Sequence, residues 1–206
     1  SLNPVLLYPL VPHQKKSLGT YLAQAKETFG KTDGLLYALI YVFILTFICY
    51  PGLAVDNTVR FLSSLENYEG WKFDFLQAIF NLSDMIGRYC GGVPCLILTN
   101  RAIKLNSIAR TLFIATFLLI SFDVAPTWLF QADWFIILNL IFFSLTNGYV
   151  STLCAIKAPQ TVEGEERGQV GGFVGITIST GIVIGSILAY GVAFVIKASP
   201  EYEKNQ

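Results

Sequence analysis

The sequence predicts an all-α integral membrane protein, and three observations support this fold class. Of the 206 residues, 53% are hydrophobic and only 14% are charged, against about 25% charged residues in soluble domains. Several apolar segments approach the ~20 residues that a membrane-spanning helix needs. The formal net charge is zero, so the chain has no basic footprint for nucleic acid. The apolar segments predict a bundle of five spans, at residues 35–61, 73–98, 102–122, 134–155 and 169–196.

An N-terminal arm, residues 1–34, precedes the five-helix bundle of residues 35–196, and a polar tail, residues 197–206, follows it. Three prolines interrupt the first part of the arm, where they disfavour a helix. Between Ser17 and Phe29, apolar residues recur with helical spacing and lysines lie around them. This pattern is typical of an amphipathic helix on a membrane surface. A solvated linker is the alternative.

Local features modify the predicted spans. Pro51 and Gly52 predict a break within the first span, and Pro94 predicts a bend near the end of the second. The third span is short, so we extend its start towards the preceding loop. Arg110 is then expected near a membrane interface, where a long charged side chain can snorkel. In the fourth span, Asn147 interrupts an apolar run.

The second span is unusual because it holds an acidic and a basic residue near its middle. Asp84 and Arg88 are four residues apart, so a helix places them on one face. Each charge costs on the order of 3 kcal/mol at the centre of a bilayer. The same face continues as a polar stripe at steps of three and four residues, formed by Gln77, Asn81, Asp84, Arg88, Gly91 and Cys95.

A polar stripe on a membrane helix must face other protein or a water-filled cavity. We favour the cavity, because the stripe holds more polar and small residues than one contact between helices needs. The alternative is an Asp–Arg pair that joins two helices, where such polar contacts contribute on the order of 1 kcal/mol.

Glycines four residues apart occur three times in the fifth span. The pairs are Gly168 and Gly172, Gly171 and Gly175, and Gly181 and Gly185. Together with Ser179, the middle pair forms a small-residue face, called here the glycine face (Gly171, Gly175 and Ser179). Small residues let helix backbones approach closely. We expect the glycine face to pack within the chain, with a homodimer contact as the alternative.

The distribution of basic residues predicts the orientation of the bundle. Nine lysines and arginines fall on the side of the N-terminal arm and four on the other side. The positive-inside rule therefore places the N-terminus in the cytosol, or in the matrix if the membrane is the mitochondrial inner membrane rather than the plasma membrane. All three tryptophans, Trp71, Trp128 and Trp134, fall on the opposite side and fit an interfacial aromatic belt.

Five motifs, in the same order along the chain, resemble the equilibrative nucleoside transporter family. The segment Asn81-x-x-Asp84-x-x-Gly87-Arg88 resembles the signature of the family's eighth membrane helix. The other four motifs resemble parts of its seventh, ninth, tenth and eleventh helices: Tyr50-Pro51, Ala109-Arg110, the segments that begin at Asp133 and Thr146, and the glycine-rich fifth span.

The resemblance covers residues 33–196 and implies the C-terminal half of an eleven-helix fold similar to the major facilitator type. It implies a passive carrier without enzymatic activity or a cofactor, which holds a nucleoside between two bundles. Carried over to this sequence, it makes Asp84 and Arg88 the first candidates for substrate binding. Asp84 can accept from ribose hydroxyls and Arg88 can donate to the sugar or base. Asn81 and Asn147 are the second candidates.

Only five of the family's eleven helices have counterparts in this sequence. We therefore expect membrane lipid around the bundle and a partner over the polar stripe, without which the bundle is not active. This partner is a six-helix half, a second copy or other membrane subunits. The alternative function is that of a transporter-like bundle that serves as a non-transporting structural subunit of a larger membrane complex, for example a mitochondrial one.

Overall fold

The computed structural model describes residues 18–53, 68–121, 127–130, 132–164 and 166–197, and the elements in these ranges are all helical. This result confirms the predicted all-α class. In chain order the α-helices are α1 (Leu18–Lys31), α2 (Leu35–Ile48), α3 (Tyr68–Gly92), α4 (Asn100–Ala109), α5 (Leu112–Ser121), α6 (Thr127–Phe130), α7 (Asp133–Gln160) and α8 (Glu166–Lys197).

Three segments of the described chain are long and apolar enough to cross a membrane. They are Asn100–Ser121, Asp133–Gln160 and Glu166–Phe194. The bent pair Ala23–Lys31 and Leu35–Pro51 adds a fourth if it is counted as one span. These segments support an integral, multi-pass membrane protein. The count of five remains a prediction, because residues 54–61 of the first predicted span lie outside the described residues.

Helix α3, which carries most of the polar stripe, is not one of these apolar segments. Its 25 residues extend over about 37 Å at 1.5 Å per residue, which exceeds the ~30 Å of a hydrocarbon core. The helix ends at Gly92, because Val93 is extended and Pro94 begins a separate 3₁₀ turn. The prediction that the polar stripe continues along the helix to Cys95 is therefore wrong. Cys95 lies in this turn and is exposed.

Two close helix crossings organise the bundle. At the first, α3 meets α7 so tightly that a Cβ atom on Gly87 would overlap the carbonyl oxygen of Leu145. A Cβ atom on Gly148 would likewise overlap the carbonyl oxygen of Asp84. The two backbones are therefore in direct contact, which requires glycine on both helices.

The second close crossing lies between α2 and α8. Cβ atoms added to Gly181 and Gly185 would meet the Cβ atoms of Phe43 and Phe47, each at 2.7 Å. The last four-residue glycine pair of α8 therefore makes the close approach expected of the glycine face. Helix α2 is buried on most sides between α7 and α8, and Leu35, Leu39 and Val42 form the centre of the larger apolar core.

The turn between α1 and α2 bends the chain by 102°. Asp33 and Gly34 form this turn with positive φ angles of 48° and 74°. The Asp33 carboxylate accepts from Lys104 at 2.9 Å and from Asn100 at 3.0 Å, and these contacts lower the pKa of Asp33. The turn is thus tied to the start of α4. Whether α1 lies on a membrane surface stays a prediction.

Candidate functional site

A cavity of about 310 Å³ lies between α2, α3, α7 and α8. Its walls include all four predicted substrate-binding residues: Asn81, Asp84, Arg88 and Asn147. Thr46 and Gln77 add two further polar groups, and the other walls are aromatic or apolar. Most of the polar stripe, from Gln77 to Arg88, therefore borders one cavity.

Asp84 lies at the centre of the polar wall and both of its oxygens are occupied. Arg88 Nε donates to Asp84 Oδ2 at 2.7 Å, one helical turn along α3. Asn147 Nδ2 on α7 donates to Asp84 Oδ1, also at 2.7 Å. The side chain of Asp84 is only 14% exposed, whereas that of Arg88 is 46% exposed. In the part of the chain that the structure describes, this ion pair engages one of the five donors that a guanidinium carries.

The crossing of α3 and α7 explains how Asn147 reaches Asp84. Gly148 follows Asn147 in the chain, and its missing side chain lets α7 rest on the carbonyl of Asp84. Close backbone contact at this level places the neighbouring side chains of the two helices within hydrogen-bond distance. Gly148 and Gly87 therefore set the geometry of the contact between Asn147 and Asp84.

An aromatic and amide wall lines the α2–α3 side of the same cavity. The ring of Tyr50 stacks on that of Phe80, with 4.3 Å between centroids and 6° between planes. The hydroxyl of Tyr50 donates to Gln77 Oε1 at 2.8 Å, and Gln77 Nε2 donates to Asn81 Oδ1 at 3.1 Å. Tyr50 has extended backbone angles where α2 gives way to the turn Cys49–Leu53, close to the predicted break.

The environment of Arg110 differs from the one predicted from the sequence. It does not snorkel to an interface but is buried, with 2% of its surface exposed. Its Nη1 donates to the carbonyl oxygen of Phe143 at 2.8 Å and to Thr146 Oγ1 at 2.5 Å, and its Nη2 donates to Thr46 Oγ1 at 3.0 Å. The guanidinium also lies 4.8 Å from the centroid of the Phe143 ring. Neutral oxygens and an aromatic ring thus accommodate this charge inside the bundle.

Thr46 connects Arg110 to the predicted site, and sequence reasoning missed it. Its hydroxyl lies 2.6 Å from Asn147 Oδ1 and 2.7 Å from the carbonyl oxygen of Val42. The sequence held two signals: Thr46 is a single polar residue within the apolar run of α2, and Arg110 is a charged residue inside another predicted span. Such a threonine ordinarily satisfies its hydroxyl on its own helix, so a contact with α7 could not be expected from the sequence.

The glycine face of α8 does not make the packing contact expected of it within the described residues. Gly171, Gly175 and Ser179 are exposed, and a Cβ atom on either glycine would meet nothing within 4 Å. Gly181 and Gly185 make the close helix contact instead, because α2 crosses α8 at their level. A contact of the glycine face with another protein stays a prediction.

A helical membrane bundle whose charged residues border a cavity is an arrangement found in solute transporters. The sequence places this chain within a particular group of that class. The family model described as "Nucleoside transporter" matches residues 11–194, and the chain belongs to this family. Membership confirms the resemblance drawn from the motifs.

Curated relatives of the chain carry names from the same family. It is 25% identical over 155 residues to Equilibrative nucleoside transporter 4 of Danio rerio, and this match covers 75% of this chain and 28% of that protein. It is 26% identical over 179 residues to Nucleoside transporter FUN26 of Saccharomyces cerevisiae, covering 82% of this chain and 34% of that protein. It is also 26% identical over 152 residues to Equilibrative nucleotide transporter 2 of Arabidopsis thaliana, covering 73% of this chain and 34% of that protein. The chain thus spans about a third of the length of these relatives.

Proposed function

We propose that this chain forms one wall of a passive nucleoside pathway and that the cavity at Asp84 is its substrate site. The observation that carries the proposal is the arrangement around Asp84, whose two oxygens are oriented by Arg88 and Asn147 at 2.7 Å each. A carboxylate held in this way has lone pairs left for the hydroxyl hydrogens of a sugar. Family membership and the names of the relatives support a nucleoside as that ligand.

The other walls suit the remaining parts of a nucleoside. The stacked rings of Tyr50 and Phe80 offer an apolar surface to a planar base, while Gln77 and Asn81 offer amide groups to its polar edge. The volume of about 310 Å³ lies at the lower end of the ~300–1,000 Å³ typical of small-molecule sites. The cavity therefore suits a ligand of the size of a nucleoside when a second wall closes it.

A second helical bundle, on the same or another polypeptide, supplies that wall. On α3, Met85 and Tyr89 are 60% and 77% exposed, and Leu82 and Ile86 are also exposed. This apolar surface continues beside the half-exposed Arg88, so the partner covers both. In a passive carrier the two bundles rock against each other around a central site. We propose the family's six-helix half as this partner.

We propose that the N-terminal arm and the α7–α8 loop face the cytosol or matrix. Arg110 and Lys72 are buried and no longer count among the interfacial charges, yet eight basic residues remain on this side against three on the other. The excess supports the orientation given by the positive-inside rule. The choice between plasma and mitochondrial membrane does not follow from this excess.

The direct test is equilibrium binding of labelled uridine and labelled adenosine to the full chain in lipid nanodiscs. We expect saturable binding that unlabelled nucleoside displaces and that equal concentrations of free ribose with free base displace far less. A half-site without its second wall is expected to bind in the millimolar range, near −4 kcal/mol. Absence of displaceable binding of both nucleosides at millimolar concentrations would contradict the proposal.

A further inference from the structure

A chain of hydrogen bonds connects the buried Arg110 to the carboxylate of Asp84. Arg110 Nη2 donates to Thr46 Oγ1 at 3.0 Å. The hydroxyl of Thr46 donates to Asn147 Oδ1 at 2.6 Å, and Asn147 Nδ2 donates to Asp84 Oδ1 at 2.7 Å. Four elements contribute to the chain: α2, α3, α7 and the turn between α4 and α5, where Arg110 lies.

The chemistry of its two ends fixes the direction of this chain. A guanidinium only donates hydrogen bonds and an ionised carboxylate only accepts them. Asp84 therefore selects the NH₂ group of Asn147, which leaves the amide oxygen facing Thr46. This oxygen needs a donor. Because Arg110 donates to the oxygen of Thr46, the Thr46 hydroxyl hydrogen is directed away from Arg110, towards Asn147 Oδ1 at 2.6 Å and the carbonyl oxygen of Val42 at 2.7 Å, which share it.

Removal of Arg110 would free a second arrangement of the amide. The lone pairs of Thr46 could then accept from the NH₂ group of Asn147, which would turn the amide oxygen towards Asp84. Two facing oxygens repel each other, so Asp84 would lose its contact with α7. Arg110 thus disfavours this orientation of Asn147, because it occupies one of the two lone pairs through which the Thr46 oxygen could accept from the amide.

Arg110 exerts this effect without bordering the cavity. Thr46, Asn147 and Asp84 line the cavity walls, whereas Arg110 is 2% exposed and lies behind them. Its contacts with the Phe143 carbonyl, the Thr146 hydroxyl and the Phe143 ring fix the guanidinium to α7. A rigidly held donor behind the wall is suited to orient the wall rather than to bind the ligand.

We propose that Arg110 is a positioning residue for the substrate site and acts on Asp84 through Thr46 and Asn147. The proposal deepens the proposed function and rests on it for its consequence in binding. Its structural content stands separately, because it concerns the orientation of an amide that can be observed without any ligand.

The first test records the side-chain amide signal of Asn147 by ¹⁵N NMR in the full chain, labelled at asparagine and placed in nanodiscs. Loss of one signal in Asn147→Ser assigns it. We expect Arg110→Lys and Asp84→Asn to move this signal, since lysine lacks the planar fork that reaches Thr46 and α7 together. Thr46→Ser keeps the hydroxyl and should leave the signal in place. Thr146→Val is the matched control, because it removes a contact of Arg110 that is not part of the chain.

If Arg110→Lys does not fold, Thr46→Val tests the same connection with a side chain of similar shape. An Asn147 signal that stays in place in Arg110→Lys, or in Thr46→Val where that variant is needed, overturns the proposal. So does a signal that moves equally in Thr146→Val, because the effect would then be general loosening of α7.

The second test measures the affinity for labelled uridine in the same samples. We expect Arg110→Lys to weaken binding about tenfold and Thr146→Val less than twofold. Unchanged affinity in Arg110→Lys would contradict a positioning role. Absence of binding by the wild-type chain would instead refute the proposed function, and the Asn147 signal would still decide the role of Arg110.

Discussion

The side-chain amide of Asn147 on α7 donates to the carboxylate of Asp84 on α3 at 2.7 Å. This contact joins two helices at the level where Gly87 and Gly148 bring their backbones together. Asp84 therefore has a partner on its own helix, Arg88, and a partner on the facing helix. An acidic residue within a membrane helix is costly, and this arrangement both compensates the charge and fixes its direction.

The close crossing of α3 and α7 should be intolerant of any side chain at Gly148. Gly148→Ala introduces a Cβ atom that overlaps the backbone of Asp84, so the helices must separate. Overpacking of this kind costs roughly 1–3 kcal/mol and occasionally more. We expect a destabilisation of about 3 kcal/mol, measured by unfolding in mixed detergent micelles.

The matched control for this prediction is Gly168→Ala near the start of α8. Gly168 is exposed and a Cβ atom there meets nothing within 4 Å. Alanine is favoured over glycine within a helix by up to about 1 kcal/mol, so this variant should be as stable as the wild type or more stable. Equal losses in both variants would contradict a specific role for the crossing.

Replacement of Arg88 should separate folding from binding. Arg88→Lys retains a cation near Asp84 but loses the planar fork of the guanidinium. Arg88→Ala leaves Asp84 without its charged partner, which costs several kcal/mol for a buried pair and less here, since Arg88 is half exposed. We expect lysine to restore thermal stability nearly in full and uridine affinity only in part, both measured in nanodiscs. Equal recovery of stability and affinity would indicate that the pair stabilises the fold without a separate role in binding.

The proposed orientation can be tested with single cysteines in intact cells. Glu163 lies in the exposed loop between α7 and α8, and Trp128 on α6 is 75% exposed. In a background without the four native cysteines, Glu163→Cys should react only with a membrane-permeant thiol reagent when the chain is in the plasma membrane. Trp128→Cys should react with an impermeant reagent as well. Reaction of both positions with the impermeant reagent would contradict the orientation.

The charges of the site could be predicted from the sequence, while its connections could not. The four-residue spacing of Asp84 and Arg88 places them on one helical face whatever the rest of the chain does. The motif around Asn147 indicated a further polar residue of the same site. The contact of Asn147 with Asp84 depends on the height at which α7 crosses α3, which is a property of the packed bundle.

Arg110 and the glycine face show why other expectations differ from the structure. An arginine near a membrane interface, where the sequence predicted Arg110, ordinarily snorkels towards water. Here the break between α4 and α5 turns Arg110 inwards, where oxygens from α2 and α7 accept from its two terminal nitrogens and its Nε has no partner among the described residues. Glycines four apart occur three times in α8, and only the position of α2 decides that Gly181 and Gly185 make the close contact.

Asp84 lies at the centre of the proposed nucleoside site, so the affinities of Asp84 variants test this site directly. The affinity of the full chain for labelled uridine is compared between the wild type, Asp84→Asn and Asp74→Asn. Asp74 is an exposed residue on the same helix and does not border the cavity, so its variant makes the same chemical change outside the site. We expect Asp84→Asn to weaken binding at least tenfold, equivalent to about 1.4 kcal/mol, and Asp74→Asn to leave it unchanged. Equal affinities of the wild type and Asp84→Asn, or equal losses in both variants, would contradict the account.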